Sequence, residues 1–383
     1  MGLGAATLLE TRANYRPNRS GRPEWWGRQA LPYNADTYFA THKAPDQLSA
    51  APSSATAPFA TASPAPALAL VADDMRVVDG VIRQQLGSEV LLVGQVAEYI
   101  IGAGGKRVRP ALLLLMCQAL GCTDARRHSL AAVVEFIHTA TLLHDDVVDE
   151  SALRRGRDTA NHLFGNAASV LVGDFLYSRA FQMMVQAGLM RVMDVLADAT
   201  NVIAEGEVLQ LMQMHDAALD EAAYLRVIRA KTAKLFEASA RLAAILAHSD
   251  AATEAHCADY GQSLGAAFQV IDDVLDYEGE VDEMGKSLGD DLREGKVTLP
   301  LICTLQRCSP SEAALIRAAI EQGNSAQLPE IIQIVRRSGG LADARLAAQA
   351  QAQRAIAAAQ TLPPSPGREA LIQWAAALLE RRS

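Results

Sequence analysis

Two short strings gather carboxylates at a spacing that suits a metal ion: LLHDDVVDE, with Asp145, Asp146 and Asp149, and QVIDDVLDY, with Asp272, Asp273 and Asp276. Successive helical residues turn by about 100°, so Asp145 and Asp149 share a face while Asp146 projects beside them. The second string repeats that geometry. Carboxylates this close repel one another unless a cation neutralises them. Hard oxygen ligands from one helix face suit Mg²⁺, which keeps several waters and shares its shell with phosphates. One such string alone reads equally well as a solvated acidic helix end. Two of them, 127 residues apart and each behind a strongly apolar run, argue for metal held between facing carboxylate pads.

Basic residues gather beside the same strings. GGKRVRP supplies Lys106, Arg107 and Arg109, and Arg154 and Arg155 follow the first aspartate cluster. Arginine pairs bidentately with phosphate, and lysine acts as a mobile point charge. Acid and base mixed in this way describe a diphosphate site, with the anion bridged to the protein through metal on one side and cations on the other. Taken singly, each basic residue reads as a surface charge, and that reading is kept for Arg107. For Lys106 and Arg109, the flanking Gly104, Gly105 and Pro110 favour a fixed loop opening a helix, where anions also gain from the helix N-terminus.

The elements that must position these groups read as helices. Of 383 residues 50% are hydrophobic, only 5% aromatic and 21% charged, which allows a large core built from Ala, Leu, Ile and Val. From Leu68 onward apolar residues recur at helical spacings, as in Val78, Ile82 and Leu86, then Leu92, Val96 and Ile100. Segments 130–149, 168–186, 190–214, 224–247 and 258–277 are long, proline-free and rich in good helix formers. No stretch alternates as a strand does. The pattern predicts an all-α helical bundle over residues 68–383, with a central elongated cavity.

Residues 1–67 are rich in Pro, Ala, Ser and Thr without a sustained period, and read as a disordered low-complexity extension. Arg12, Arg16, Arg19, Arg22 and Arg28 invite a transit-peptide reading, against which stand Glu10, Glu24 and the lack of an amphipathic period. The net charge of -9 argues against a nucleic-acid partner. No run approaches the roughly 18 to 20 apolar residues of a spanning helix, so a soluble, cytoplasmic chain is expected. Cys117, Cys122, Cys257, Cys303 and Cys308 include no CxxC pair and no zinc-like spacing with His, and read as free thiols in a reducing compartment.

The strings GGKRVRP, EFIHTATLLHDDVVDESALRRG, GEVLQL, KTAKLFEAS, FQVIDDVLDY and GKSLGDDLREGKVTLPL together carry a resemblance. The chain resembles the trans-isoprenyl diphosphate synthases, and within them the bacterial octaprenyl-type polyprenyl synthases. The likeness spans residues 104–301 and continues weakly through REALIQWAAALLERR. It implies that Lys106, Arg109, His138 and Arg155 hold the diphosphate of isopentenyl diphosphate. Arg154, Lys231, Thr232, Gln269 and Lys286, helped by Lys296, are then implied to serve the allylic diphosphate. Asp145, Asp149 and Asp272 are the implied Mg²⁺ ligands, with Asp146, Asp273 and Asp276 in support. His138 lies seven residues, almost two turns, before Asp145 and so on a similar face. Alone it would read as a core histidine.

The resemblance also implies the chemistry. Charge developing on the departing diphosphate is stabilised by Mg²⁺ and the basic residues, so the allylic C–O bond ionises to a resonance-stabilised cation. The double bond of isopentenyl diphosphate attacks that carbon, and a proton is then lost to the released diphosphate. The sequence offers no clean protein base. An apolar cavity keeps water from the cation. Short-chain members place aromatic side chains four or five positions before the first aspartate, as a floor under the growing tail. Here those positions hold Thr141 and Ala140, so the tail can pass Val134 and Ile137, and a long product, octaprenyl diphosphate for quinone side chains, is implied.

A shorter-chain synthase remains the alternative product reading. A terpene cyclase would carry an Asn/Ser/Glu-type second metal motif and would not need GGKRVRP. A non-catalytic subunit of a heteromeric synthase would typically lose one aspartate cluster, and both are intact. Family members form homodimers, and the Ala- and Leu-rich helices are compatible with that. Membrane contact would be transient, through the apolar product.

Overall fold

Among the described residues the helical spacings of the sequence become fourteen longer helices, here numbered α1 (Ala72–Gln85), α2 (Leu91–Gly102), α3 (Val108–Ala119), α4 (Arg126–Val148), α5 (Asn166–Ala187), α6 (Met190–Gln213) and α7 (Glu221–Ile228). They continue as α8 (Lys234–Leu246), α9 (Ala251–Glu278), α10 (Leu299–Arg307), α11 (Pro310–Gln322), α12 (Leu328–Ser338), α13 (Gly340–Gln360) and α14 (Pro366–Ala377). The computed structural model describes residues 65–102, 107–154, 156–278, 288–323 and 325–381. Lys106, Arg155, Lys286 and residues 1–64 of the extension lie outside them. The all-α expectation holds. Short helical turns at Ala65–Ala69, Ala160–Phe164 and Asp290–Arg293 join the longer elements.

A helix that is apolar on every side belongs in the middle of a bundle. The run from Pro110 to Cys117 in α3 is such a case, and all eight of its residues are buried. Around it pack α4, α8 and α14, while α5 lies along α4. A second apolar cluster is formed by the C-terminal half of α9 with α10, α12 and α13. Helices α8 and α9 lie side by side, and α9 contributes to both clusters. Each buried Leu or Ile contributes about 1.5–3 kcal/mol, so the ends of α4 and α9 are carried on stiff supports. Both aspartate clusters sit at those ends.

Four local features depart from the sequence reading. Leu92, expected on a buried face, is 45% exposed, although Val96 of the same row is fully buried. The segment 224–247 is not one helix: α7 passes through a π-helical turn, Arg229–Ala233, into α8. Such a turn inserts one residue without leaving a propensity signature. Glycine at position 206 of α6 makes room for it, because a Cβ there would lie 2.8 Å from the Lys231 backbone nitrogen. Two-residue strands β1 (Leu153–Arg154) and β2 (Arg157–Asp158) pair antiparallel, Leu153 opposite Asp158, and are too short for alternation to show in sequence.

Arg107 is the fourth departure. It is no surface charge: its Nη1 donates to the buried carboxylate of Glu135 at 2.6 Å and ties the start of α3 to α4. Removing one partner of such a buried pair costs about 3–5 kcal/mol. The five cysteines are free thiols, with Cys117, Cys257 and Cys303 buried and the other two partly exposed. Among the described residues no helix is long and apolar enough to cross a membrane.

Candidate active site

The first aspartate cluster closes α4. Asp145 lies in its last turn and Asp149 just beyond it, the Asp149 N–H donating to the Asp145 carbonyl at 2.8 Å. Both carboxylates meet lysines: Lys231 Nζ lies 3.5 Å from Asp145 Oδ2, and Lys296 Nζ donates to Asp149 Oδ2 at 2.7 Å. Asp146 is fully buried. There Arg154 Nε donates to its Oδ1 at 2.8 Å, and Asn161 Nδ2 donates to its backbone carbonyl at 3.0 Å. Burial raises the Asp146 carboxyl above the ordinary range, against the pull of Arg154.

The second cluster closes α9 with other partners. Asp272 Oδ1 lies 2.9 Å from Nη1 of Arg381, whose guanidinium also stacks over Phe268. Asp273 is buried and accepts from Tyr224 Oη at 2.5 Å and from Gln269 Nε2 at 2.8 Å. Gln269 in turn accepts from Thr232 Oγ1 at 2.9 Å. Asp276 accepts from the backbone N–H groups of Asp290 and Asp291, at 3.2 and 3.3 Å. Burial and repulsion from Asp291 and Asp290 push Asp276 up to about 9, with those backbone donors opposing, and burial and Asp291 likewise raise Asp273.

Two lysines meet the first cluster and line the space beside the second. Lys231, on the π-helical turn, donates to Glu207 Oε2 at 2.5 Å and Gln210 Oε1 at 2.8 Å while reaching Asp145. Burial, then the charge of Asp145, pushes Glu207 up to about 7. Lys296 is shared by Asp149 and Glu294, both at 2.7 Å. Burial works against its charge, but Glu294, Asp149 and Asp291 outweigh that and hold the ammonium above its ordinary value. Between them opens a cleft of about 120 Å³, lined by Tyr224, Lys231, Thr232, Gln269, Asp291 and Lys296 among others.

A further cation stands at the start of α3. Arg109 Nη1 lies 3.1 Å from His138 Nε2, and its guanidinium rests 4.5 Å above the Phe236 ring. Burial lowers it to about 10, opposed by Glu135 and Asp272, so it stays cationic at neutral pH and lies within the field of the second cluster. The arrangement can grip two anionic groups, one between the lysines and one beside Arg109.

A family model for polyprenyl synthetases matches residues 91–335. The chain belongs to the polyprenyl synthetase family. An octaprenyl diphosphate synthase of Escherichia coli is 51% identical over 313 residues, 82% of this chain and 97% of its own length. An all-trans-nonaprenyl-diphosphate synthase of Rhodobacter capsulatus, described as geranyl-diphosphate specific, is 44% identical over 315 residues, 82% of this chain and 97% of its own. Among solved structures, a polyprenyl synthase from Caulobacter crescentus, complexed with calcium and isoprenyl diphosphate, aligns with a TM-score of 0.82 at 44% identity. That alignment covers 85% of this chain and 100% of the other.

In this polyprenyl synthetase the structure brings together Asp145, Asp149, Lys231 and Lys296, and separately joins Arg109 to His138 and Thr232 to Gln269. Lys106, Arg155 and Lys286 fall outside the described residues. Among the described residues no three His, Cys, Asp or Glu groups form a closed metal cage. Open oxygen ligation is what Mg²⁺ takes when a substrate's phosphates complete its shell, so Asp145, Asp149 and Asp272 fit that ion in chemistry. The buried Asp146 offers an oxygen without a hydrogen-bond partner, Oδ2, but on the side of Arg154.

The sequence reading passed over Glu207, Gln210, Tyr224, Asp291 and Arg381. The first two lie in GEVLQL and Asp291 in GDDLREGKVTLP, strings that carried the resemblance without roles for these residues. Tyr224 precedes Lys231 by seven residues, a shared-face spacing that could have flagged it. Ala140 is fully buried in the main core, and the Thr141 hydroxyl donates back to the His138 carbonyl at 2.7 Å.

Proposed function

We propose that this polyprenyl synthetase condenses isopentenyl diphosphate units onto an allylic diphosphate primer, farnesyl diphosphate by preference, to give octaprenyl diphosphate for quinone side chains. The observation that carries the reading is that Lys231 and Lys296, which line one cleft together with Asp273 and Asp291, also meet Asp145 and Asp149 of the first cluster. An allylic diphosphate entering there displaces carboxylate contacts of the lysines, with Thr232, Gln269 and Arg154 beside it. Arg109 and His138 hold the diphosphate of isopentenyl diphosphate next to Asp272, joined by Lys106 and Arg155. Lys286 adds charge on the allylic side.

Asp145, Asp149 and Asp272 would hold Mg²⁺, which would supply charge neutralisation for the departing diphosphate. Lys296 shares that task by staying cationic against burial, and the positions of both lysines fix the leaving oxygen relative to the incoming double bond. Phe236 and Phe268, stacked beneath Arg109 and Arg381, are the apolar walls nearest the cations. They exclude water from the allylic cation.

Product length rests on Ala140 and Thr141. Neither side chain reaches as an aromatic ring would, which favours a long tail over a farnesyl or geranylgeranyl product. The same proposal includes a homodimer, because Leu171 and Val185 of α5 and Met190, Val208, Leu211 and Met212 of α6 are exposed on helices joined by a short turn. Large exposed apolar faces of this kind mark association surfaces. Cytoplasmic residence and dispensability of residues 1–67 complete the reading.

Labelled isopentenyl diphosphate and farnesyl diphosphate with Mg²⁺, followed by dephosphorylation and sizing, test it, with Asp145→Ala as control. A ladder ending at about eight isoprene units and absent from the variant is expected. A farnesyl or geranylgeranyl end point overturns the argument from Ala140 and Thr141, and no elongation overturns the function.

A further inference from the structure

Three elements meet at one buried carboxylate. Asp273 of α9 is 3% exposed and Tyr224 of α7 is 4% exposed, whereas the neighbouring Asp272 side chain is 37% exposed. The Tyr224 hydroxyl donates to Asp273 Oδ2, Gln269 Nε2 donates to Asp273 Oδ1, and Thr232 Oγ1 donates to Gln269 Oε1. The relay therefore runs from α7 through α9 to the π-helical turn. There the residue beside Thr232 is Lys231, which reaches Asp145 of the other cluster.

The origin of the relay is fixed. Asp220 caps α7, its Oδ1 accepting from the Ala223 N–H at 2.8 Å, and its carbonyl accepts from the Tyr224 N–H at 3.0 Å. The ring of Tyr224 packs in the same apolar cluster as Ile228, Val270 and Val274. A phenylalanine would fill that space equally well, so packing does not require the hydroxyl. What the hydroxyl does is satisfy one oxygen of a carboxylate cut off from bulk water, where an orphaned acceptor is costly. A π-helical turn breaks the i→i+4 register of the helices on either side, and the relay adds a side-chain constraint from outside.

We infer that Tyr224 is a positioning residue of the transfer site: through Asp273 and Gln269 its hydroxyl sets Thr232 and Lys231 against Asp145, and Asp273 is the hub of this relay. The inference rests on the reading of the cleft as a diphosphate site. It assigns the middle aspartate of the second cluster, which borders the cleft, to positioning, while Asp272 is the more exposed of the pair. Groups one step behind a metal or phosphate site commonly change affinity or activity by about 10–100-fold when removed.

The test uses the full chain and the variants Tyr224→Phe, Asp273→Asn, Asp273→Leu and Tyr224→Phe with Asp273→Leu. Calorimetry measures binding of inorganic pyrophosphate in the presence of Mg²⁺, and steady-state kinetics give KM separately for farnesyl and isopentenyl diphosphate. For Tyr224→Phe, roughly tenfold weaker pyrophosphate binding and a matching rise in KM for the farnesyl substrate are expected, with the isopentenyl KM unmoved. Asp273→Asn keeps an acceptor for the hydroxyl and should lose less than Asp273→Leu, and the double variant should be no worse than Asp273→Leu alone.

Equal losses on both substrates, or a lower Tm with unchanged binding, would reduce Tyr224 to a packing residue and overturn the inference. Asn and Leu at position 273 failing equally, with a raised Mg²⁺ requirement, would instead make Asp273 a metal ligand and likewise overturn it. Should Tyr224→Phe fail to fold, the ranking of the two Asp273 variants decides alone. Absence of elongation by the unaltered chain marks failure of the functional reading, and is separate from every one of these results.

Discussion

At the end of α4 every aspartate of the first cluster meets a cation: Lys231 at Asp145, Arg154 at Asp146 and Lys296 at Asp149. At the end of α9, among the described residues, only Asp272 does so, through Arg381, while a phenol, an amide and two backbone N–H groups hold Asp273 and Asp276. The same string thus serves two physical roles. Lysine ammonium groups are mobile, so the first cluster can trade them for a metal–phosphate assembly. Neutral donors fixed in the fold have nowhere to go. The second cluster pairs one aspartate with a cation and uses two to hold that part of the fold in place.

The largest effect should come from breaking the exchangeable side. Asp145→Ala removes a cleft carboxylate and should lower kcat about a thousandfold with little change in Tm. Asp276→Asn, on the fixed side, should cost about 10–100-fold. Comparing kcat and thermal midpoint for both variants checks the division, and equal losses from the two would dissolve it.

Much of this was legible beforehand. Apolar periodicity gave the helices, and the two aspartate strings marked the helix ends at which Asp145, Asp149 and Asp272 sit. Partner choice was not legible, because it depends on contacts between distant segments. Lys296 meets Asp149 across 147 positions and Tyr224 meets Asp273 across 49. Nor could composition show the π-helical turn, which exists because α6 has a glycine where the turn passes. Arg107 was misread for the same reason: its partner Glu135 is buried 28 positions away.

Gly206→Ala tests whether the turn sharpens the contrast between clusters. The added methyl would meet the Lys231 nitrogen at 2.8 Å and the Ala230 Cβ at 2.9 Å, and the backbone atom cannot swing aside. Overpacking of this kind costs about 1–3 kcal/mol. Lys231 should be displaced from Asp145, so the farnesyl diphosphate KM should rise while that for isopentenyl diphosphate, on the Arg109 side, stays put. A smaller effect on rate is expected from Ala140→Phe, whose signature is the product: chromatographic sizing should show a ladder ending several units earlier. An unchanged ladder would mean that the tail does not pass this position.

The smallest effect isolates what burial contributes to the second cluster. Asp276 and Glu312 both accept backbone N–H groups beside the start of a helix, yet the first is pushed up to about 9 and the second drawn down to about 2. Glu312 is only partly buried, and its backbone and hydroxyl bonds with Ser309, helped by Arg337, act almost unopposed; at Asp276 burial and neighbouring aspartates overwhelm the same kind of donor. Because the folded value of Glu312 lies below its ordinary 4.5, its contribution is present above that pH and is lost as pH falls through about 2. Glu312→Gln should therefore lower Tm slightly at neutral pH, and the gap between variant and parent should close on acidification across that window. A gap that is constant down to pH of about 2 would mean that the capping geometry matters and the charge does not.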